Sequence, residues 1–66
     1  MEILCNGSIK SLTAPIAIRD LLLNLGLSPV RVAVEVNRQV VPRAKHSEHL
    51  LHEGDEVEVV TLVGGG

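Results

Sequence analysis

In the second half of the chain, His46, His49 and His52 recur at every third residue, with Glu48, Glu53 and Asp55 among them. On a helical turn, residues three apart share a face, and zinc takes three or four converging ligands of these types. The segment is short and polar, so the expectation is three solvated histidines and no metal site. Cys5 is the single thiol. A reactive thiol needs a neighbouring cation or a helix N-terminus to lower its pKa. Cys5 instead alternates with Met1 and Ile3 along one strand face, which predicts a small buried core residue. Glu53, Asp55, Glu56 and Glu58 crowd one turn and the strand after it. General acid/base work would need a cleft that separates their pKa values. With so little interior, they read as a solvated acidic face that can also meet a basic partner.

The most permissive chemistry lies in Gly64, Gly65 and Gly66, which follow the apolar run Val59–Val63. Glycine loses the most backbone freedom on ordering, and a frayed glycine end is ordinary. The same end also suits a reactive role. A tail without Cβ atoms threads a narrow channel, and its carboxylate reaches an α-phosphate with no side chain in the way. Adenylation then makes a poor electrophile attackable, and a sulfur nucleophile converts the carboxylate into a thiocarboxylate. Both readings remain open from the residues alone.

Sixty-six residues allow one domain with a thin core. The composition is 45% hydrophobic and 21% charged, which is globular rather than disordered. Phe, Tyr and Trp are absent, so the core is aliphatic and base stacking is excluded. The net charge is −2 and the six basic residues are scattered, which argues against nucleic-acid binding. Arg38, Arg43 and Lys45 are the nearest approach to a basic surface, and solvated charge is the expectation for them. No signal-like start or bilayer-length apolar run is visible, and the single thiol fits a reducing compartment. A cytoplasmic protein with no membrane association is expected.

These side chains need elements to hold them. "EILC" (2–5) and "SIKSL" (8–12) flank Asn6-Gly7, a strong hairpin signal, with Ile9 expected to face the core and Lys10 the water. Ile18, Leu21, Leu22 and Leu25 recur at helical spacing. Thr13 is expected as N-cap, Pro15 in the first turn and Gly26 at the left-handed C′ position. "RVAVEVN" (31–37) and "QVVP" (39–42) read as strands around an Asn37-Arg38 turn. A last strand, 57–63, follows a turn over Glu53–Glu56. The expected fold is α+β: a β-grasp sheet of four to five strands, one helix on one face, and the last strand central beside the first. The folded domain spans 1–63, with a flexible tail over 64–66. In the last strand, Val60 and Leu62 share a face with Glu56 and Glu58. Either the helix or a loop covers them, or they form an exposed partner site with Val63.

The chain resembles the sulfur carrier protein of thiamine biosynthesis, a ubiquitin-like family. The likeness rests on "NG" in the first hairpin, "VAVEVNRQVVPR" (32–43), "HEGDEVEVV" (52–60) and the terminal glycines. It implies that Gly66 is adenylated by an E1-like adenylyltransferase using ATP and Mg²⁺. Gly66 then becomes a thiocarboxylate with sulfur from a donor protein, and passes that sulfur to thiazole synthase. Gly65 is its required neighbour, and Gly64 lengthens the arm. The protein would be a monomeric co-substrate with no bound cofactor, not an enzyme. Two other readings stand beside it: the small subunit of molybdopterin synthase, and a non-catalytic ubiquitin-like adaptor with an inert tail.

Overall fold

Asn6 and Gly7 both take positive φ, 51° and 83°, and the turn they form folds β1 (Glu2–Cys5) back on β2 (Ser8–Ser11). A second turn of the same hand, at Asn37 and Arg38 with φ of 51° and 69°, joins β3 (Val32–Val36) to β4 (Gln39–Val41). Two consecutive positive-φ residues give the twist that a two-residue hairpin needs. Arg38 is the less comfortable of the pair, because its Cβ crowds the carbonyl in that region. The computed structural model describes residues 1–62. Val63, Gly64, Gly65 and Gly66, and with them the expected tail, lie outside the described residues.

The first hairpin corrects one expectation. Its register sets Ile9 opposite Leu4 and Lys10 opposite Ile3. Ile3 is buried, so Ile9 must point the other way, and it is 68% exposed. Alternation within a strand gives the period and leaves the choice of face to the pairing.

Helix α1 runs over Ile18–Asn24. Ile18, Leu21 and Leu22 are fully buried, as the helical spacing predicts. Leu25, expected to extend that stripe, is instead the C-cap and 39% exposed. Gly26 follows at φ 74°. The Gly26 N–H donates to Leu23 O and the Leu27 N–H to Leu22 O, the two bonds that close a Schellman end. The start of the helix differs more. Thr13 and Pro15 lie outside it, and the N-cap is Ala17, with no side-chain bond. The reason is that Ile16 and Ala17 are engaged elsewhere. Ala17 bridges Leu50 and the Leu51 N–H donates to Ile16 O. The free N–H groups of Ile18 and Arg19 then donate to His49 O and His46 O. Backbone carbonyls from a distant loop do what a capping side chain does elsewhere.

The last strand, β5 (Glu56–Thr61), lies mid-sheet. Five strands run in the order β2-β1-β5-β3-β4. β5 is parallel to β1 and antiparallel to β3, so the mixed sheet and central last strand agree with expectation. Ile3, Val34, Val36 and Val57 face the helix, and Leu51 closes the core from the loop. α1 covers one face, and none of the described residues covers the other.

Leu22 sits at the centre of this aliphatic core. Leu22→Ala is expected to cost about 2–5 kcal/mol, against a total near 3–5 kcal/mol for a domain this small. Urea denaturation followed by circular dichroism should show a variant that is largely unfolded without denaturant.

Candidate docking surface on the central strand

Alternation along β5 sends Val57 and Val59 into the core and Glu56, Glu58 and Val60 to the open face. Val60 is 53% exposed and Leu62 54%. Among the described residues neither the helix nor a loop covers them, so the reading in which they are covered is set aside. Leu62 lies past the strand proper, yet its N–H still donates to Arg31 O at 2.7 Å. The chain is therefore held beside the residue that precedes β3 up to its last described residue.

Two asparagines extend the ladder on either side of β5. β1 ends at Cys5, after pairing Leu4 with Glu56 and Cys5 with Val57. The Asn6 N–H continues the ladder by donating to Val57 O. Its side chain then replaces the next residue of strand: Nδ2 donates to Val59 O at 3.2 Å, and the Val59 N–H donates to Oδ1 at 2.7 Å. A side-chain amide offers N–H donors and a carbonyl acceptor, as a peptide group offers one of each, so it can stand in for one. Asn37 makes a partial counterpart at the other end of β5, with one bond to the strand backbone and one to a carboxylate. Its Oδ1 accepts from the Glu56 N–H, and its Nδ2 donates to Asp55 Oδ1. The sequence marks both asparagines only as turn residues. Their second role shows once β5 lies between the hairpins.

The open face carries more than the two exposed aliphatics. Cross-strand register places Glu35 opposite Glu58 and Val40 beyond Glu35, with Ala33 opposite Val60 and Leu4 beside Glu56. Asn37 N–H bonds to Glu56 O and Leu62 N–H to Arg31 O, which makes every second pair a hydrogen-bonded one. Glu35 and Glu58 form such a pair, with Cα atoms about 5.5 Å apart. Two carboxylates thus stand side by side, with aliphatic side chains around them.

The other candidates disperse. His46 corrects the expectation of three solvated histidines, for it is 3% exposed. Its Nε2 lies 2.9 Å from Val41 O, while Nδ1 is buried without a partner. The ring ties the 46–51 loop to β4, and through the loop carbonyls to the start of α1. His49 and His52 border an open depression with Glu48 and Asp55. Among the described residues no group of three or more potential ligands is placed to hold a metal. Two of the crowded carboxylates are tied to backbone: Glu53 Oε1 accepts from the Glu2 N–H and Asp55 Oδ2 from the His52 N–H. Arg38, Arg43 and Lys45 are exposed, and Lys45 approaches Glu48 at 3.7 Å. Cys5 is half-buried against the core rather than fully enclosed. Burial pushes its thiol pKa up, and Lys10 opposes this only in part.

A single helix held against a mixed sheet, with the last strand parallel to the first at its centre, defines a ubiquitin-like β-grasp protein. The chain belongs to the ThiS family, whose model matches residues 3–66. It is 41% identical over its whole length to "Thiazole synthase" of Magnetococcus marinus, where it spans only 20% of that protein. It is 29% identical to "Sulfur carrier protein ThiS" of Escherichia coli, and that match covers all of both chains. The crystal structure of a thiamine biosynthesis protein (ThiS) from Geobacter metallireducens superposes with a TM-score of 0.86 at 28% identity, again over all of both chains. The chain thus spans a fifth of the length of the first curated relatives it matches.

Two predictions follow from this geometry. Asn6→Ala deletes both bonds to Val59 and should cost about 1–3 kcal/mol in urea denaturation, with faster amide exchange at Val59. Asn6→Gly tolerates the positive φ and should show the same fast exchange, so the effect is assigned to the lost amide. Cys5 should be alkylated by iodoacetamide slowly at neutral pH, because the thiolate is the reactive form. The rate should climb as pH rises toward and past the ordinary thiol pKa, and unfolding in urea should accelerate it at fixed pH.

Proposed function

We propose that this protein is a sulfur carrier whose Gly66 carboxylate is adenylated, converted to a thiocarboxylate, and used to deliver sulfur to a thiazole synthase in thiamine biosynthesis. The observation that carries the reading is the extent of the family match. It runs through Gly66 rather than stopping at the folded domain, and the carrier from Escherichia coli aligns along its entire length. Thiazole synthases that contain a stretch matching the whole of this chain support the choice of acceptor.

In this reading the activating partner is an E1-like adenylyltransferase, which supplies the site for ATP and Mg²⁺. A carboxylate oxygen of Gly66 attacks the α-phosphate and pyrophosphate leaves. The terminal sulfur of a donor-protein persulfide then attacks the acyl adenylate and AMP departs. A second thiol of the donor cleaves the resulting acyl disulfide, releasing the thiocarboxylate and leaving a disulfide on the donor. Gly65 and Gly64 carry no Cβ, so the partner can grip the backbone closely and place the terminal atom where the chemistry requires it. Val60, Leu62 and Val63 form the docking surface for the adenylyltransferase and the synthase, next to the reactive end. The protein itself is a co-substrate with no bound cofactor, acting as a monomer in the cytoplasm.

The test is the intact mass after incubation with adenylyltransferase, ATP, Mg²⁺ and a sulfur donor. The gain should equal replacement of one oxygen by sulfur and map to the peptide ending in Gly66. Gly65→Val should fold normally and load poorly, and one residue added after Gly66 should abolish loading. Leu62→Glu should weaken both complexes with no loss of stability. Sulfur on Cys5, or full loading of the lengthened chain, would overturn the mechanism.

A further inference from the structure

The carboxylates at the middle of the open face have no ion-pair or hydrogen-bond partner among the described residues. Among the described residues the single ion pair is Lys45–Glu48, away from this face. Glu35 and Glu58 nevertheless stand directly opposite each other, an arrangement that like charges make unfavourable. Glu56 precedes Glu58 on the same face. Exposed aliphatics surround them: Leu4 and Ile9 on one flank, Val40 on the other, and Val60 toward the end of β5. This inverts the usual arrangement of an apolar centre with a charged rim.

We propose that Glu35 and Glu58 form a receptor for one arginine or lysine side chain of the thiazole synthase, with Val40 and Val60 closing around it. The proposal rests on the sulfur-carrier reading above. A cation placed between the two carboxylates turns their repulsion into a bridge. A guanidinium presents a fork of donors suited to this. The surrounding aliphatics exclude water and strengthen the contact, and the two fixed charges steer the approach. The synthase is the occupant that the observations favour, because relatives of that name hold a copy of this domain within their own chains. Docking there also leaves the end of β5, and the described chain up to Leu62, beside the synthase surface.

The experiment compares the wild-type chain with Glu35→Gln/Glu58→Gln, using purified thiazole synthase from the same organism, by calorimetry at low and high sodium chloride. The double variant should bind about tenfold more weakly at low salt, as loss of a charge-assisted contact implies. Its affinity should also depend much less on salt than that of the wild type. Its urea midpoint should stay level or rise, since a repulsion is gone. Glu48→Gln, which removes a carboxylate off this face, should change none of these. Sulfur loading by the adenylyltransferase is measured in parallel and should be unaffected. Equal affinities with an unchanged salt dependence would overturn the proposal, even if the variant aggregates, because the carboxylates would then serve solubility alone. A salt-dependent loss confined to the adenylyltransferase complex would overturn it too. A wild-type chain that neither loads sulfur nor binds the synthase would instead sink the carrier reading, and this proposal with it.

Discussion

Everything in this molecule depends on β5 lying between the two hairpins. β1–β2 and β3–β4 each close locally through an Asn-initiated turn, but neither hairpin pairs with the other. Among the described residues only β5 joins them, parallel on one side and antiparallel on the other. An isolated hairpin is marginal in water, so the sheet, and the floor on which α1 packs, exist because the last strand is in place. The amides of Asn6 and Asn37 reinforce that seam where regular strand pairing runs out. The strand that carries Val60 and Leu62 is thus also the one the fold can least release. A docking surface built there inherits the rigidity of the sheet.

The open face follows from economy of chain. A sheet of five strands needs a covering layer on each side to be dry on both. This chain supplies one helix of seven residues, a pair of short 3₁₀ turns, and the loop that brings Leu51 into the core. That covers one face. The aliphatics left outside are kept apart by Glu35, Glu56 and Glu58, which limit edge-free stacking of one sheet on another. Charge among the exposed aliphatics is one way a small domain keeps such a face while remaining soluble.

Most of the fold was legible because its signals are local. Asn-Gly and Asn37-Arg38 fix two turns, valine alternation fixes β3, and Gly26 fixes the end of the helix. The family resemblance is borne out by the match over residues 3–66. What misled were decisions settled by partners distant in sequence. Ile9 has the right period and the wrong face, because the pairing with Leu4 decides it. Thr13 and Pro15 look like a helix start, but Ile16 and Ala17 are recruited by Leu50 and Leu51, and His46 and His49 cap the helix with their carbonyls. His46 looks solvated in a polar segment, yet the same loop presses it beneath β4. At the candidate site, Val60 and Leu62 could be placed on a face from their spacing alone. Whether that face was covered depended on how much chain remained to cover it.

The parallel pairing of β1 with β5 has a consequence for biosynthesis. β1 is made before the other strands of this sheet, and it must wait for residues more than fifty positions later before its second edge is filled. A nascent chain halted before Glu56 has two hairpins, a short helix and no strand to unite them, and its valine-rich surfaces stay in water. Such fragments are the kind of species that chaperones retain and proteases remove. Folding therefore works as a completeness check on translation. A copy stable enough to persist in the cell is one in which synthesis has passed through the central strand.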